Sequence, residues 1–205
     1  MPSQKPAYHH GDLREALIEA ALAVIDELGP QALSIREVAR RAGVSHAAPY
    51  RHFTDKDDLI VAVVERGFEM LDAVTGQARA AAGDDLLAQF AASGEAYLRF
   101  ALEYPAYYRV MFSGDLLNSK GRDALRHTSK SSFSRMVDDL TMCQELGVVR
   151  RGDPKLQAVA IISTVHGFVC LANDNRLSDL HGETFEFEQL RDFVLNAIFE
   201  GLGAP

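Results

Sequence analysis

The stretch from Ser34 to Leu59, SIREVARRAGVSHAAPYRHFTDKDDL, constrains this chain more than any other. Ser34 followed three residues later by Glu37 is a capping box, and Ile35, Val38, Ala39 and Ala42 give the helix it opens a buried face. Gly43 stands where a left-handed residue ends such a helix. Ser45 is then expected to cap a short helix over 45–52, too short to hold without packing, with Val44, Tyr50 and Phe53 as its anchors. Pro49 disturbs that helix, because its missing N–H falls just past the positions where donors are free. Thr54 and Asp57 suggest a cap for a long helix through Leu59, Val63, Val64, Phe68 and Leu71. Two short helices about a Gly turn, the second crowded with cationic and hydrogen-bonding side chains, are the recipe for a helix-turn-helix that reads DNA.

Net charge at first argues otherwise, at -8 for the whole chain. Its distribution points back to DNA. Between Ser34 and Thr54 stand four arginines and one acid, a local balance of +3, with His46 and His52 in addition. Acids collect elsewhere, notably in 179–192. A basic patch on an acidic protein is still an electrostatic footprint, and the acidic remainder would suppress non-specific DNA binding.

Ahead of this stretch, residues 1–8 carry two prolines and no periodicity and read as an arm. Asp12 caps a helix whose stripe is Leu13, Leu17, Ala20, Ala21, Val24, Ile25 and Leu28, stopped by Gly29-Pro30. His9 and His10 suit a solvated or phosphate-facing role better than a metal site. Beyond it, the pattern predicts helices over about 84–103, a short one from Pro105, then about 121–146, one from Asp153-Pro154, and a last one over about 184–202. No strand-like alternation of useful length occurs. The expected fold class is all-α with about nine helices, divided as 1–75, a three-helix helix-turn-helix domain, and 76–205, a larger regulatory and dimerisation domain.

Residues 158–172, AVAIISTVHGFVCLA, are apolar nearly all round, which requires cover on two sides. The last helix carries an apolar stripe wide enough for a core and a partner. A homodimer interface is therefore expected from Val159, Ile162, Val169, Phe187, Leu190, Val194 and Ile198. Phe90, Tyr97, Phe100, Tyr104, Tyr108, Met111 and Phe112, with Phe133, Met136 and His166, are candidates for an apolar effector pocket with a few polar handles; plain core packing explains any one of them equally well.

No apolar run approaches a membrane span and no secretory leader is read, so a cytoplasmic protein without membrane contact is expected. Cys143 and Cys170 sit far apart, which speaks against a disulfide framework or zinc site. No nucleophile–base constellation, phosphate loop or HExxH is present, so no enzyme, cofactor or metal is expected. His166 and Cys170, four apart on one helix, are the weak exception.

Residues 10–65 resemble the DNA-binding domain of the tetracycline-repressor (TetR) family. The strings that carry the likeness are DLREALIEAALAVIDELG and LSIREVARRAGVSHAAPYRHFTDKDDLI, with Tyr50-Arg51-His52-Phe53 and Lys56 at the family's junction of recognition helix and next helix. Pro49 departs from a common Leu. The resemblance implies contacts to double-stranded DNA from Ser34, Arg36, Ser45, His46, Ala47, Tyr50, Arg51, His52 and Lys56: Tyr50, His52 and Lys56 on phosphates, Arg36 on a base edge, Ala47 against a thymine methyl. Arg40 and Arg41 are as readily solvated as bound, and Lys5 is a possible backbone contact. The stretch YLRFALEYPAYYRVMF with TVHGFVCL resembles one class of the family's C-terminal domains. It implies a homodimeric regulator, most simply a repressor released from a palindromic operator by a small and largely apolar molecule. Activation, or DNA binding without a ligand, fits the same residues.

Overall fold

The computed structural model describes residues 13–112, 119–181 and 186–203. Expectations resting on Lys5, His9, His10, Asp12 and the loop 113–118 lie outside the described residues. Nine α-helical segments are present among those described: α1 (Leu13–Leu28), α2 (Ile35–Arg41), α3 (Lys56–Ala81), α4 (Leu86–Glu103), α5 (Pro105–Phe112), α6 (Ser119–Glu145), α7 (Pro154–Asn173), α8 (Leu177–His181) and α9 (Phe187–Leu202). The only β feature among them is an isolated antiparallel bridge between Val149 and Gly203. The all-α class holds. The short α8 lies in a segment that reads as a polar loop.

The helices gather into two compact units. The first takes in α1, α2, α3 as far as Phe68, α5, and α6 as far as His127. Its core is Leu17, Ile18, Ala21, Val24 and Ile25 from α1, Val38 and Ala39 from α2, and Leu59, Ile60, Val63 and Val64 from α3. Each fully buried Leu, Ile or Val contributes about 1.5–3 kcal/mol relative to exposure. Tyr107, Tyr108, Val110 and Met111 of α5 are buried in the same unit, where α5 packs on α1. That approach depends on Gly67. A Cβ there would sit 2.6 Å from Met111 Sδ and 3.2 Å from Tyr107 Cδ1. Burial pushes the Tyr107 hydroxyl pKa up to about 12, with the Glu19 carboxylate adding to it.

The second unit comprises the rest of α3, α4, the remainder of α6, and α7 to α9. Phe90, Leu140, Cys143, Val149, Ala158 and Leu202 form a buried cluster, with Phe133, Met136 and Ile198 packed against it. Polar contacts set the register of α3 on α6. Asp72 pairs with Arg135 at 3.0 Å and accepts from Ser132 Oγ at 3.0 Å, and one turn pair further on Arg79 pairs with Asp139. Caps at Asp85 and Asp153 start α4 and α7, each carboxylate accepting from two backbone N–H groups. Pro154 at the first helical position is as expected.

One expectation is corrected. Among the described residues α7 is long and apolar enough to cross a membrane, so the chain does contain a run of that length. In the second unit α7 packs against α4 and α9, burying Ala158, Val165, Phe168 and Val169.

Candidate nucleic-acid interface

Ser34 caps α2, its hydroxyl accepting from the Glu37 N–H at 3.2 Å. Half of the expected capping box is thus formed, while the Glu37 side chain turns to Arg40 instead. At the other end Val44 N–H bonds to Ala39 O (3.0 Å) and Gly43 N–H to Arg40 O (3.2 Å), the paired bonds of a Schellman close. Gly43 sits at φ +68 with open space around its Cβ position, so the backbone alone demands glycine. Gly43→Ala is expected to lower stability by about 1–2 kcal/mol, read by chemical denaturation.

The segment 45–52 differs from the expected helix. It is a turn followed by a 3-10 turn over Pro49–Arg51. Ala48 N–H bonds to Ser45 O, Arg51 N–H to Ala48 O and His52 N–H to Pro49 O, all three residues back. Pro49 cannot donate, so the tighter winding takes over. Pro49 is itself buried, and it takes the packing place that the sequence assigns to Tyr50. Tyr50 is turned out instead, 60 % exposed. Phe53 closes the segment in the core, with the Arg14 guanidinium 5.7 Å above its ring. Ser45 contributes its carbonyl to the turn.

The cap of α3 is also shifted from expectation. Asp55 Oδ1 accepts from Asp58 N–H at 2.9 Å, and the Asp58 carboxylate reaches back to Thr54 N–H at 3.1 Å and to its hydroxyl. This reciprocal pair anchors the exit of the turn to the first helical residue, Lys56.

Of the nine residues that the resemblance assigns to DNA, Ser34, Arg36, Ser45, His46, Ala47, Tyr50, Arg51 and His52 are exposed, and Lys56 is half-buried. Ser34 and Arg36 stand at the start of α2, and the other seven lie between Gly43 and the first residue of α3. The four arginines are not equivalent. Arg40 forks onto Glu37 (Nε–Oε2 2.8 Å, Nη2–Oε1 2.5 Å), and Arg41 onto Glu27 at 2.7 Å. Both carboxylates are held below their usual pKa by those hydrogen bonds. Among the described residues, Arg36, Arg51 and Lys56 pair with no carboxylate. Arg14 is not legible in the sequence, where its place over an aromatic ring leaves no local signal.

The aromatic candidates separate. Phe90, Phe133 and Met136 meet in the core of the second unit, with Phe90 edge-on to Phe199 at 6.4 Å. In that unit Phe100 is buried against the Tyr104 ring at 5.3 Å, and Tyr97 is half-buried on α4. Tyr108, Met111 and Phe112 belong to the first unit, the Tyr108 and Phe112 rings 4.6 Å apart. His166 Nε2 lies 3.4 Å from Cys170 Sγ, and burial keeps that thiol protonated. No cluster of three metal-ligating side chains occurs among the described residues. A groove of about 540 Å³ between α4 and α9, lined by Ala88, Ala91, Ala92, Glu95, Asp192, Leu195, Asn196 and Phe199, contains none of the ten candidates.

On α7 and α9, Val169 is fully buried, while Ile162, Phe187, Leu190, Val194 and Ile198 are half-buried. The exposed apolar positions are Val159 (52 %), Leu156 (70 %) and Phe193 (75 %). Leu156 and Phe193 extend the expected interface set.

Residues 17–63 match the family described as "Bacterial regulatory proteins, tetR family", and residues 90–194 match "Tetracyclin repressor-like, C-terminal domain". The chain belongs to the TetR family. Over 70 residues it is 39% identical to the HTH-type transcriptional repressor KstR of Mycolicibacterium smegmatis, an alignment spanning 34% of each chain. The chain thus spans about a third of that relative's length. Across the whole fold, a protein with unknown function from Rhodococcus sp. RHA1 superposes with a TM-score of 0.81 at 30% identity, covering 97% of this chain and 100% of that one. AibR, solved in complex with isovaleryl coenzyme A and operator DNA, superposes with a TM-score of 0.72 at 16% identity over 94% of this chain and 98% of its own, a likeness of fold.

Proposed function

We propose that this TetR-family chain is a cytoplasmic transcriptional repressor that binds a palindromic operator as a homodimer and leaves it when a small, largely apolar effector binds. The observation that carries the reading is the Gly43–Lys56 turn. It turns out Tyr50, leaves Arg51 and Lys56 uncommitted to any described carboxylate, as is Arg36 on α2, and includes small Ala47 that allows close approach to a groove. Phosphate contacts set register, and base-edge contacts from Arg36 and Ala47 set sequence. The exposed apolar positions on α7 and α9 support a second copy as their cover, since a twofold pair presents two reading heads roughly 34–36 Å apart, one helical turn of DNA.

Effector release is a population shift: a ligand that prefers one arrangement of the regulatory unit draws the dimer away from the spacing the operator needs. A protein of this fold solved with an acyl-coenzyme A and operator DNA supports the coarser part of the reading, that such a fold can carry both a small-molecule site and a DNA site.

Operator selection from random duplexes, repeated with a metabolite panel, tests it. Tyr50→Ala and Lys56→Ala are expected to weaken binding evenly across sequences, with Lys56→Ala flattening the log–log salt slope of the dimer by about 1.8, one phosphate per copy. A wild-type chain that selects no sequence, or a slope untouched by Lys56→Ala, counts against the assignment.

A further inference from the structure

Arg40 and Arg41 are adjacent on α2 and both paired, yet their pairs are built differently. Arg41 has only 21 % of its side chain exposed and ties α2 to Glu27 of α1, fourteen residues away. It is a brace. Arg40 is 67 % exposed and its partner Glu37 belongs to the same helix, one turn back. That pair joins no two elements. Arg40 also lies four residues after exposed Arg36, on the same face of α2.

The Arg40 fork is engaged through Nε and Nη2 by both oxygens of one carboxylate. A phosphodiester offers the same fork two oxygens in the same planar arrangement. The guanidinium end of the pair is open to solvent, with Glu37 22 % exposed, and the pair ties no second element, so a phosphate can take the carboxylate's place without parting two helices. We propose that Glu37 occupies, in the free protein, the place that a DNA backbone phosphate takes on Arg40, so that binding exchanges one anion for another at a preset guanidinium. The inference rests on the DNA-binding reading above and adds Arg40 to the contacts and Glu37 as a competitor that holds affinity down. Phosphates carry no base information, so the exchange acts on affinity without altering sequence preference.

The test is fluorescence anisotropy of the full chain on the selected operator and on a random duplex, over a salt series. Glu37→Gln keeps the backbone cap, because Gln serves at this position of a helix start as Glu does. It is expected to tighten both duplexes about two- to fivefold, the range corresponding to an exposed ion pair. Arg40→Ala is expected to flatten the salt slope of the dimer by about 1.8, one phosphate per copy. In the Arg40→Ala background, Glu37→Gln is expected to give no more than the small gain that Asp26→Asn gives. Asp26→Asn removes an equal charge from α1 and should produce a smaller gain. The proposal is overturned if the Glu37→Gln gain survives in the Arg40→Ala background, if Asp26→Asn matches it, or if Glu37→Gln gives none. In those cases wild-type binding and its loss with Tyr50→Ala leave the DNA reading standing; a wild-type chain that binds neither duplex overturns both.

Discussion

Val159→Asp combined with Phe193→Asp is expected to leave the proposed homodimer monomeric and to lower operator affinity roughly 10²–10⁴-fold, the loss that follows when two linked heads become independent. Both side chains stand more than half exposed on α7 and α9, so neither change opens the core. Near-native circular dichroism should therefore accompany the loss. Two carboxylates per copy, facing their twofold mates, would have to be desolvated against each other, which an apolar interface cannot compensate. Light scattering on a size-exclusion column reads the assembly, and anisotropy on full and half operators reads the heads. A double variant that stays dimeric at micromolar concentration places the interface elsewhere. One that turns monomeric but keeps full operator affinity removes the need for two heads.

Gly67→Val is the second change with a large expected effect, this time on stability. The added atoms enter the space held by fully buried Met111, whose Sδ is 2.6 Å from the Cβ position, and by the Tyr107 ring. Overpacking of this kind costs about 1–3 kcal/mol. Gly76 lies further along the same helix with nothing within 4 Å, so Gly76→Ala should instead stabilise by up to about 1 kcal/mol. The contrast isolates packing from helix propensity. Met111→Ala makes room, so the Gly67→Val and Met111→Ala costs should add to less than their sum. Simple additivity in urea unfolding would show that α5 does not bear on Gly67.

Local rules carried most of what could be read in advance. Ser34, Gly43 and Asp153-Pro154 act through bonds spanning a few residues, and each stands at the helix end expected of it. The recognition segment is legible as a location but not as a shape. Pro49 marks trouble, yet whether a chain answers with a kinked α-helix or a 3-10 turn depends on what buries the proline. Tyr50 is misplaced by sequence reasoning for the same reason: only one of Pro49 and Tyr50 fits against the core. Thr54 with Asp57 and Asp55 with Asp58 are both good cap patterns one residue apart, and the structure uses the second. Phe90, Phe133, Tyr108 and Met111 are ambiguous in principle, because a pocket and a core draw on the same residue types. The salt pairs at Arg40 and Arg41 cannot be told from solvated charges until geometry separates them.

The placement of α5 has a consequence for modularity. Some forty residues separate Phe68 from Pro105, yet Tyr107, Tyr108, Val110 and Met111 are interior to the unit that also contains the DNA-reading turn. That unit is assembled from two distant stretches of chain, so it is not an excisable cassette. A fragment ending after α3 would lose four interior side chains and lay bare the glycine seat that receives Met111. Grafting this head onto another regulator would therefore require carrying the 105–112 segment with it, and a transplant of the N-terminal stretch alone would deliver the reading residues on an unfinished scaffold.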